Sequence, residues 1–347
     1  MAVSTDATHY AEALQELAVA SLFEGVSENR IISTPGILNA LLILEAGARG
    51  TTAAELAAIT GVAPEMAGAT CVELNAEMAE GGGTSHAAAV WAQILNHPDF
   101  TAALPDVVFH YGVDQEHLDD WSAAQTRHVL MDFPLRVGAG HGWILSTATH
   151  LAEQWHDELF DEDKTKDRAF TGPFGLRTAF FMHTDGASNY TLRGSVHTVD
   201  LQLVGGMVLR VGTGAAGESP VDVLSALTRP GTLNAVKLSV DLPRFSIRNN
   251  LDLGVVLRQW GATTLCSKAA DLSGISPALW IGHVTHDCAI SVDEAGVTGA
   301  TATVVAPFGQ PTPHDTTEEP IEITGAFGFV VLKGNLPVLT GWVAHPV

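Results

Sequence analysis

Apolar residues recur at helical spacing through 8–22, at Ala11, Leu14, Leu17 and Leu22, with polar residues between them, and this predicts an amphipathic helix. Ser33 and Thr34 ahead of Pro35 mark the start of a second helix over the apolar stretch 37–44, which the run Gly47-Ala48-Arg49-Gly50 ends. Thr51 and Thr52 are expected to cap a third helix over 53–59, before Gly61. Beyond 63 the pattern is mixed as far as 232. Within it, 189–209 alternates with period two and breaks at Gly205-Gly206, as a strand hairpin does. Further strands are predicted at 235–242 and 245–247, split by Pro243, and a helix at 252–260. Dispersed helices among antiparallel-looking strands, with no regular βαβ alternation, place the chain in the α+β class.

The segment after 286 departs from this ordinary patterning. Residues 286–294 (HDCAISVDE) alternate like a strand, and 296–306 (GVTGATATVVA) follow without one charge. In an extended chain Val297, Gly299, Thr301, Thr303 and Val305 face one side while Thr298, Ala300, Ala302, Val304 and Ala306 face the other. Neither face resists burial. Residues 307–320 (PFGQPTPHDTTEEP) then hold four prolines and three acidic residues, which suits an exposed loop and not a central strand. An uncharged two-faced strand tied to such a loop can add itself to a sheet.

Composition narrows the partners. The 347 residues carry a formal net charge of −22, so no basic stripe exists to neutralise phosphates, and nucleic acid is excluded as the expected partner. No stretch reaches the ~18 apolar residues of a membrane helix, and residues 1–10 show no basic, apolar signal-peptide pattern, so the expected location is cytoplasmic unless a leader is missing. Cys71, Cys266 and Cys288 form neither a disulfide framework nor a metal-ligand pattern. His150 and His156 with Asp157 and Glu158 (HLAEQWHDE) lack the spacing of HExxH, GAGHG at 138–142 reads as a turn, and no G-x-S-x-G elbow occurs. No metal, cofactor or enzymatic activity is expected.

Five segments resemble the serpin family, in its order and spacing. They are 32–56 (ISTPGILNALLILEAGARGTTAAEL), 242–245 (LPRF), 270–276 (ADLSGIS), the hinge-like 292–303 (VDEAGVTGATAT) and 327–346 (FGFVVLKGNLPVLTGWVAHP). The resemblance implies one serpin domain over 1–347, with three mixed or antiparallel sheets, about eight or nine helices and an exposed reactive loop near 294–320. It implies a monomeric suicide-substrate inhibitor that forms a covalent acyl complex with a serine protease, trapped as the cleaved loop inserts into the main sheet. The alternative on the same fold is a non-inhibitory binding or structural protein.

By the same resemblance the hinge comprises Glu294, Gly296, Val297, Thr298, Gly299, Ala300, Thr301, Ala302 and Thr303, with Val297 where inhibitory members usually carry Thr or Ser and Gly299 where they carry Ala. His286 matches a histidine under the opening sheet, Trp155 a tryptophan at its top, and Ser33 a buried serine beside that histidine. Thr34 replaces a usual Pro, Gly36 a usual Ser and Thr147 a usual Asn. The family's spacing puts the reactive bond at Gln310-Pro311, with Phe308-Gly309 and His314-Asp315 as alternatives. Residues 296–329 hold no Lys or Arg, which disfavours a trypsin-like target and suits chymotrypsin-, elastase- or subtilisin-like ones.

Overall fold

The computed structural model describes residues 7–80, 83–133, 135–138, 142–215, 217–229, 232–277, 279, 281, 284–298 and 321–346. Its helices are α1 (Ala7–Leu22), α2 (Thr34–Gly47), α3 (Gly50–Thr60), α4 (Ala67–Ala79), α5 (Pro98–Ala102), α6 (Gln115–Gln125), α7 (Pro220–Thr228) and α8 (Leu253–Gln259). The strands run β1 (Arg30–Ile32), β2 (Thr84–Ala92), β3 (Val107–Tyr111), β4 (Trp143–Gln154), β5 (Lys166–Gly172), β6 (Gly175–Arg193), β7 (Val196–Gln202) and β8 (Met207–Thr213). They continue with β9 (Thr232–Pro243), β10 (Phe245–Asp252), β11 (Thr285–Asp293), β12 (Gly296–Thr298), β13 (Ile321–Glu322), β14 (Phe327–Lys333) and β15 (Leu336–Val343). Among the described residues the contacts form two compact units, one of 1–21, 33–150 and 250–288, the other of 22–32, 151–249 and 289–347.

In the first unit α2 is the central element. Ser33 caps it by accepting the Gly36 N–H at 3.3 Å, Pro35 sits in its first turn, and Ile37, Leu38, Leu41, Leu42, Ile43 and Leu44 are all buried. A helix apolar on every side must be enclosed. Its three polar residues find partners: the Thr34 hydroxyl donates to Gln15, the Asn39 amide donates to Asn75 at 2.6 Å, and the Thr60 hydroxyl donates to Glu45 at 2.8 Å. Burial nevertheless pushes the Glu45 carboxyl up to about 7. A separate cluster packs Trp91 edge-on against Trp121 and Phe133, with Ala89, Leu118 and Ile144 around them.

The start of α3 corrects the expectation of Thr51 and Thr52 as caps. The helix begins at Gly50 after Arg49, and the Thr52 hydroxyl instead accepts the Asp271 N–H at 2.9 Å. Arg49 N–H donates to the Asp271 carbonyl at 2.8 Å, and a Cβ on Gly47 or Gly274 would overlap the Ile275 side chain or the Gly47 carbonyl. The run 47–52 and the ADLSGIS segment are therefore one interlocked corner, and a tertiary contact has taken the hydroxyl that local propensity assigned to capping.

The second unit is mostly sheet. Its strands follow the order β1-β15-β14-β8-β7-β6-β9-β13, with β5 also on β6. The β6–β9 register slips between Thr184 and Ser188, and the two strands pair on both sides of the slip. The first part of β6 also pairs with β5 and its last part with β7, while β13 extends the sheet beyond β9. The expected hairpin at 189–209 is three strands, with β6 turning at Gly194-Ser195 into β7 and the Gly205-Gly206 turn leading into β8. The remaining strands follow the order β10-β11-β12-β4-β2-β3, where β2 and β3 are parallel. Among the described residues the result is an α+β arrangement of eight α-helices with mixed or antiparallel sheets.

Candidate functional site

In the second unit, β12 is held on both edges. Thr298, Val297 and Gly296 pair with Ser291, Val292 and Asp293 of β11, and the same three residues pair with Ala152, Glu153 and Gln154 of β4. Gly296 has φ +151, and a Cβ on it would overlap the Glu153 carbonyl, so no side chain fits where the chain turns inward. Val297 is fully buried while Thr298 is only half-buried, which fixes the parity of this strand.

The turn before β12 is pinned by side chains. Asp293 accepts the Ala295 N–H at 2.9 Å, and the Trp155 indole donates to the Asp293 carbonyl at 2.7 Å while its ring stands edge-on to Phe160. The Glu294 carboxylate receives Arg244 Nε at 2.9 Å and 2.7 Å on its two oxygens and accepts the Thr165 hydroxyl. Arg244 also lies over the Phe180 ring, 5.6 Å from its centroid. Burial opposes ionisation of Glu294, but the hydrogen bonds from Arg244 and Thr165 outweigh it and hold the carboxyl below its ordinary value.

A polar cluster of the first unit gathers the other sequence-singled residues. The Ser33 N–H donates to His286 Nε2 at 2.9 Å, so this nitrogen carries no proton and Nδ1 does. The Cys288 sulfur lies 3.0 Å from the same nitrogen, and burial pushes its thiol pKa up. The Thr147 hydroxyl donates to the Gly36 carbonyl at 3.0 Å, which gives Thr147 a role although the family usually has Asn there. His86 of β2 shares a hydrogen bond of 2.8 Å with Thr149 of β4.

His86 and His286 each keep some solvent contact at the residue level, yet their rings are dry enough that burial lowers both pKa values to about 4. Protonation of His286 would also turn an acceptor into a donor facing the Ser33 N–H. For a lowered histidine pKa the stability is complete above the unfolded value near 6.5 and is lost as pH falls toward 4. Each ring then removes about 2 kcal/mol between pH 7 and 5, while Glu45, with its raised pKa, gains protonated-state stability over that range and offsets about one of them. The expected result is a urea midpoint lower at pH 5 than at pH 7, with a visibly smaller drop in His286→Gln. An equal drop in that variant would exclude His286 as a source.

Sequence reasoning missed Arg244, Thr165, His86, Thr149 and Cys288. Arg244 stands inside the LPRF segment, which signalled its presence but not its partner 50 residues away. Gly299, Ala300, Thr301, Ala302, Thr303 and all candidates for the reactive bond, Phe308, Gly309, Gln310, Pro311, His314 and Asp315, lie outside the described residues. His156 Nδ1 lies 3.0 Å from an Asp157 carboxylate oxygen on the surface, and His150 is buried in β4. Among the described residues no group of three or more His, Cys, Asp or Glu is arranged to hold a metal, and no helix is long and apolar enough to cross a membrane. Cys71, Cys266 and Cys288 are free thiols.

A family model described as Serpin (serine protease inhibitor) matches residues 12–335. The chain belongs to the serpin family. That description is of an inhibitor of proteases, not of an enzyme. The serpin is 37% identical to the bovine (Bos taurus) leukocyte elastase inhibitor over 98 residues, 27% of this chain and 26% of that protein, so this match spans about a quarter of the relative. It is 24% identical to human (Homo sapiens) Serpin B8 over 325 residues, 81% of this chain and 84% of that one. Among solved structures, Serpin48 of the insect Tenebrio molitor superposes with a TM-score of 0.83 at 17% identity, covering 100% of both chains, which shows the shared fold.

Proposed function

We propose that this serpin is a suicide-substrate inhibitor of chymotrypsin-, elastase- or subtilisin-like serine proteases, folded as one domain and acting as a monomer. The observation that carries the reading is β12: three residues already run as a strand paired on both edges, and the sequence that continues it, 299–306, has no charge to oppose further pairing. In this reading the protease serine attacks a loop carbonyl and forms an ester, the amine of the cut bond leaves, and the acylated segment lengthens β12. Backbone groups of the flanking strands gain partners, which drives the movement. The protease is displaced before water hydrolyses the ester. A location in the cytoplasm accompanies this reading.

The expected result is a protease complex that survives boiling in detergent with chymotrypsin, elastase or subtilisin, and none with trypsin, because 296–329 offers no Lys or Arg. The bovine relative, a leukocyte elastase inhibitor, supports an elastase-like target. The mass of the released fragment decides between Gln310-Pro311, set by spacing, and Phe308-Gly309, set by side-chain chemistry, with His314-Asp315 as the third choice. Proline after the bond lacks an N–H and hinders most serine proteases.

A single cut within 308–315 is expected to raise the melting temperature by about 10 °C or more, through strand pairing worth several kcal/mol. An unchanged or lower value would show that the freed segment does not insert. The second reading, a non-inhibitory serpin that binds a partner or serves a structural role, draws on Val297 and Gly299, which depart from the inhibitory pattern; glycine weakens a strand by roughly 0.5–1 kcal/mol. Cleavage without a stable complex is its signature.

A further inference from the structure

The C-terminal stem of the reactive segment is short. β13 pairs in parallel with β9 through Ile321 opposite Val240 and Glu322 opposite Asp241. The backbone adds the Ile323 N–H to the Asp241 carbonyl at 3.0 Å and the Thr171 N–H to the Thr324 carbonyl at 2.7 Å. A strand of two residues has little pairing of its own, so its side-chain attachments count.

Those attachments form a row of alternating charge. The Lys164 ammonium donates to Asp185 at 2.7 Å, and Asp185 lies 2.9 Å from His183 Nε2. His183 Nδ1 lies 2.8 Å from Asp241 Oδ1, while Arg168 reaches Asp241 Oδ2 at 2.7 Å and Glu322 at 3.0 Å. Asp241 is buried, at 1% exposure, directly opposite His183 in the β6–β9 register. A carboxylate only accepts hydrogen bonds, and a neutral imidazole has one N–H, so satisfying both carboxylates takes a ring with both nitrogens protonated. Asp185 does not supply the missing proton, since the Lys164 and His183 hydrogen bonds hold its carboxyl below the ordinary value.

We propose that His183, as the imidazolium, is a positioning residue that fastens the C-terminal stem of the reactive segment to the sheet, and that this fastening loosens as pH rises. With the ring charged, three cations alternate with three anions: Lys164, Asp185, His183, Asp241, Arg168, Glu322. These are the charged groups that face the ring from its own strand, from β9, from the segment before β5 and, through Asp241, from β5 and β13. Loss of the ring proton leaves one carboxylate facing a lone pair. Arg168 then remains the single cation between the buried Asp241 and Glu322, and Asp241 draws it away from Glu322. Ile321 and Glu322 keep only backbone pairing. The role of this stem rests on the reading of 294–320 as a protease-facing loop, but the fastening itself does not.

Hydrogen–deuterium exchange of the full-length protein, corrected for the intrinsic rate, tests it at pH 6.0 and 8.5. Protection of amides in 321–326 is expected to fall about tenfold at the higher pH while β14 and β15 keep theirs. His183→Gln should lower protection at both values and abolish the difference. Nitrogen-15 shifts of the wild-type imidazole, measured without any variant, should show both ring nitrogens protonated at pH 6.0. Protection independent of pH, a pH response retained in His183→Gln, or a singly protonated ring at pH 6.0 would each overturn the proposal. If exchange behaves as expected but no protease complex ever forms, the loop reading falls and the His183 fastening stands.

Discussion

Thr301→Arg is expected to convert the serpin from a trap into a substrate, raising the number of inhibitor molecules consumed per protease at least about tenfold. The parity of β12 is the basis. Val297 is fully buried and Thr298 is not, and alternation along an extended chain carries the Val297 face to 299, 301 and 303. A guanidinium carried into that face without a partner costs several kcal/mol. If about 1.4 kcal/mol of that cost appears in the barrier to insertion, insertion slows tenfold and hydrolysis of the acyl-enzyme overtakes it. Cutting itself should be unaffected, because the substitution lies seven or more residues from Phe308, Gln310 and His314. Thr298→Arg, on the half-buried opposite face, should change stoichiometry much less. Comparable loss of trapping in the two variants would sink the assignment of faces.

The segments that the sequence reveals best are those where one local signal and the tertiary outcome agree. Ser33 and Pro35 start α2 as their types suggest, Asp252 caps α8 by accepting the Gly254 N–H, and Gly296 and Val297, at the start of the charge-free run, are buried. Legibility fails where the partner is remote. Nothing around Arg244 points to Glu294, and nothing in TSHAAAV says that His86 will meet Thr149. At Thr52 the failure has a definite cause: its hydroxyl has two possible uses, and the distant Asp271 N–H takes it. In β6 the difficulty is length, since one strand of 19 residues pairs with β5, β7 and β9 and its register slip against β9 falls at Thr184 to Ser188, where no proline or hydrophobic pattern marks a boundary. The family resemblance singled out Trp155 and His286; the distances give the contacts they make.

Arg244→Ala is expected to give the largest loss of stability among single substitutions near the hinge, about 3 kcal/mol by urea denaturation at pH 7. The Glu294 side chain is only 5% exposed and takes both of its charge-assisted contacts from Arg244, so truncation leaves a buried carboxylate with only the neutral donors of the Thr165 hydroxyl and its own backbone N–H. Arg244 itself is 36% exposed, which places the effect at the lower end of the range for breaking a buried pair. The pH dependence has a definite sign. Because the folded carboxyl is held below its ordinary value, its contribution is complete above pH 4.5 and is lost as pH falls through the folded value, so wild type and Arg244→Ala should converge in acid. Glu294→Gln, which removes the buried charge and keeps an acceptor, should cost less than Arg244→Ala, and Arg244→Lys should recover only part of the loss because an ammonium has no counterpart of the Nε–H shared by the two Glu294 oxygens and stacks less well on Phe180. Exchange of the amides in 295–298 should quicken in Arg244→Ala, since the turn that aims β12 between its neighbours has lost its pin. A change below about 0.5 kcal/mol would mean that solvent reaches Glu294 and that the pair does not set the turn.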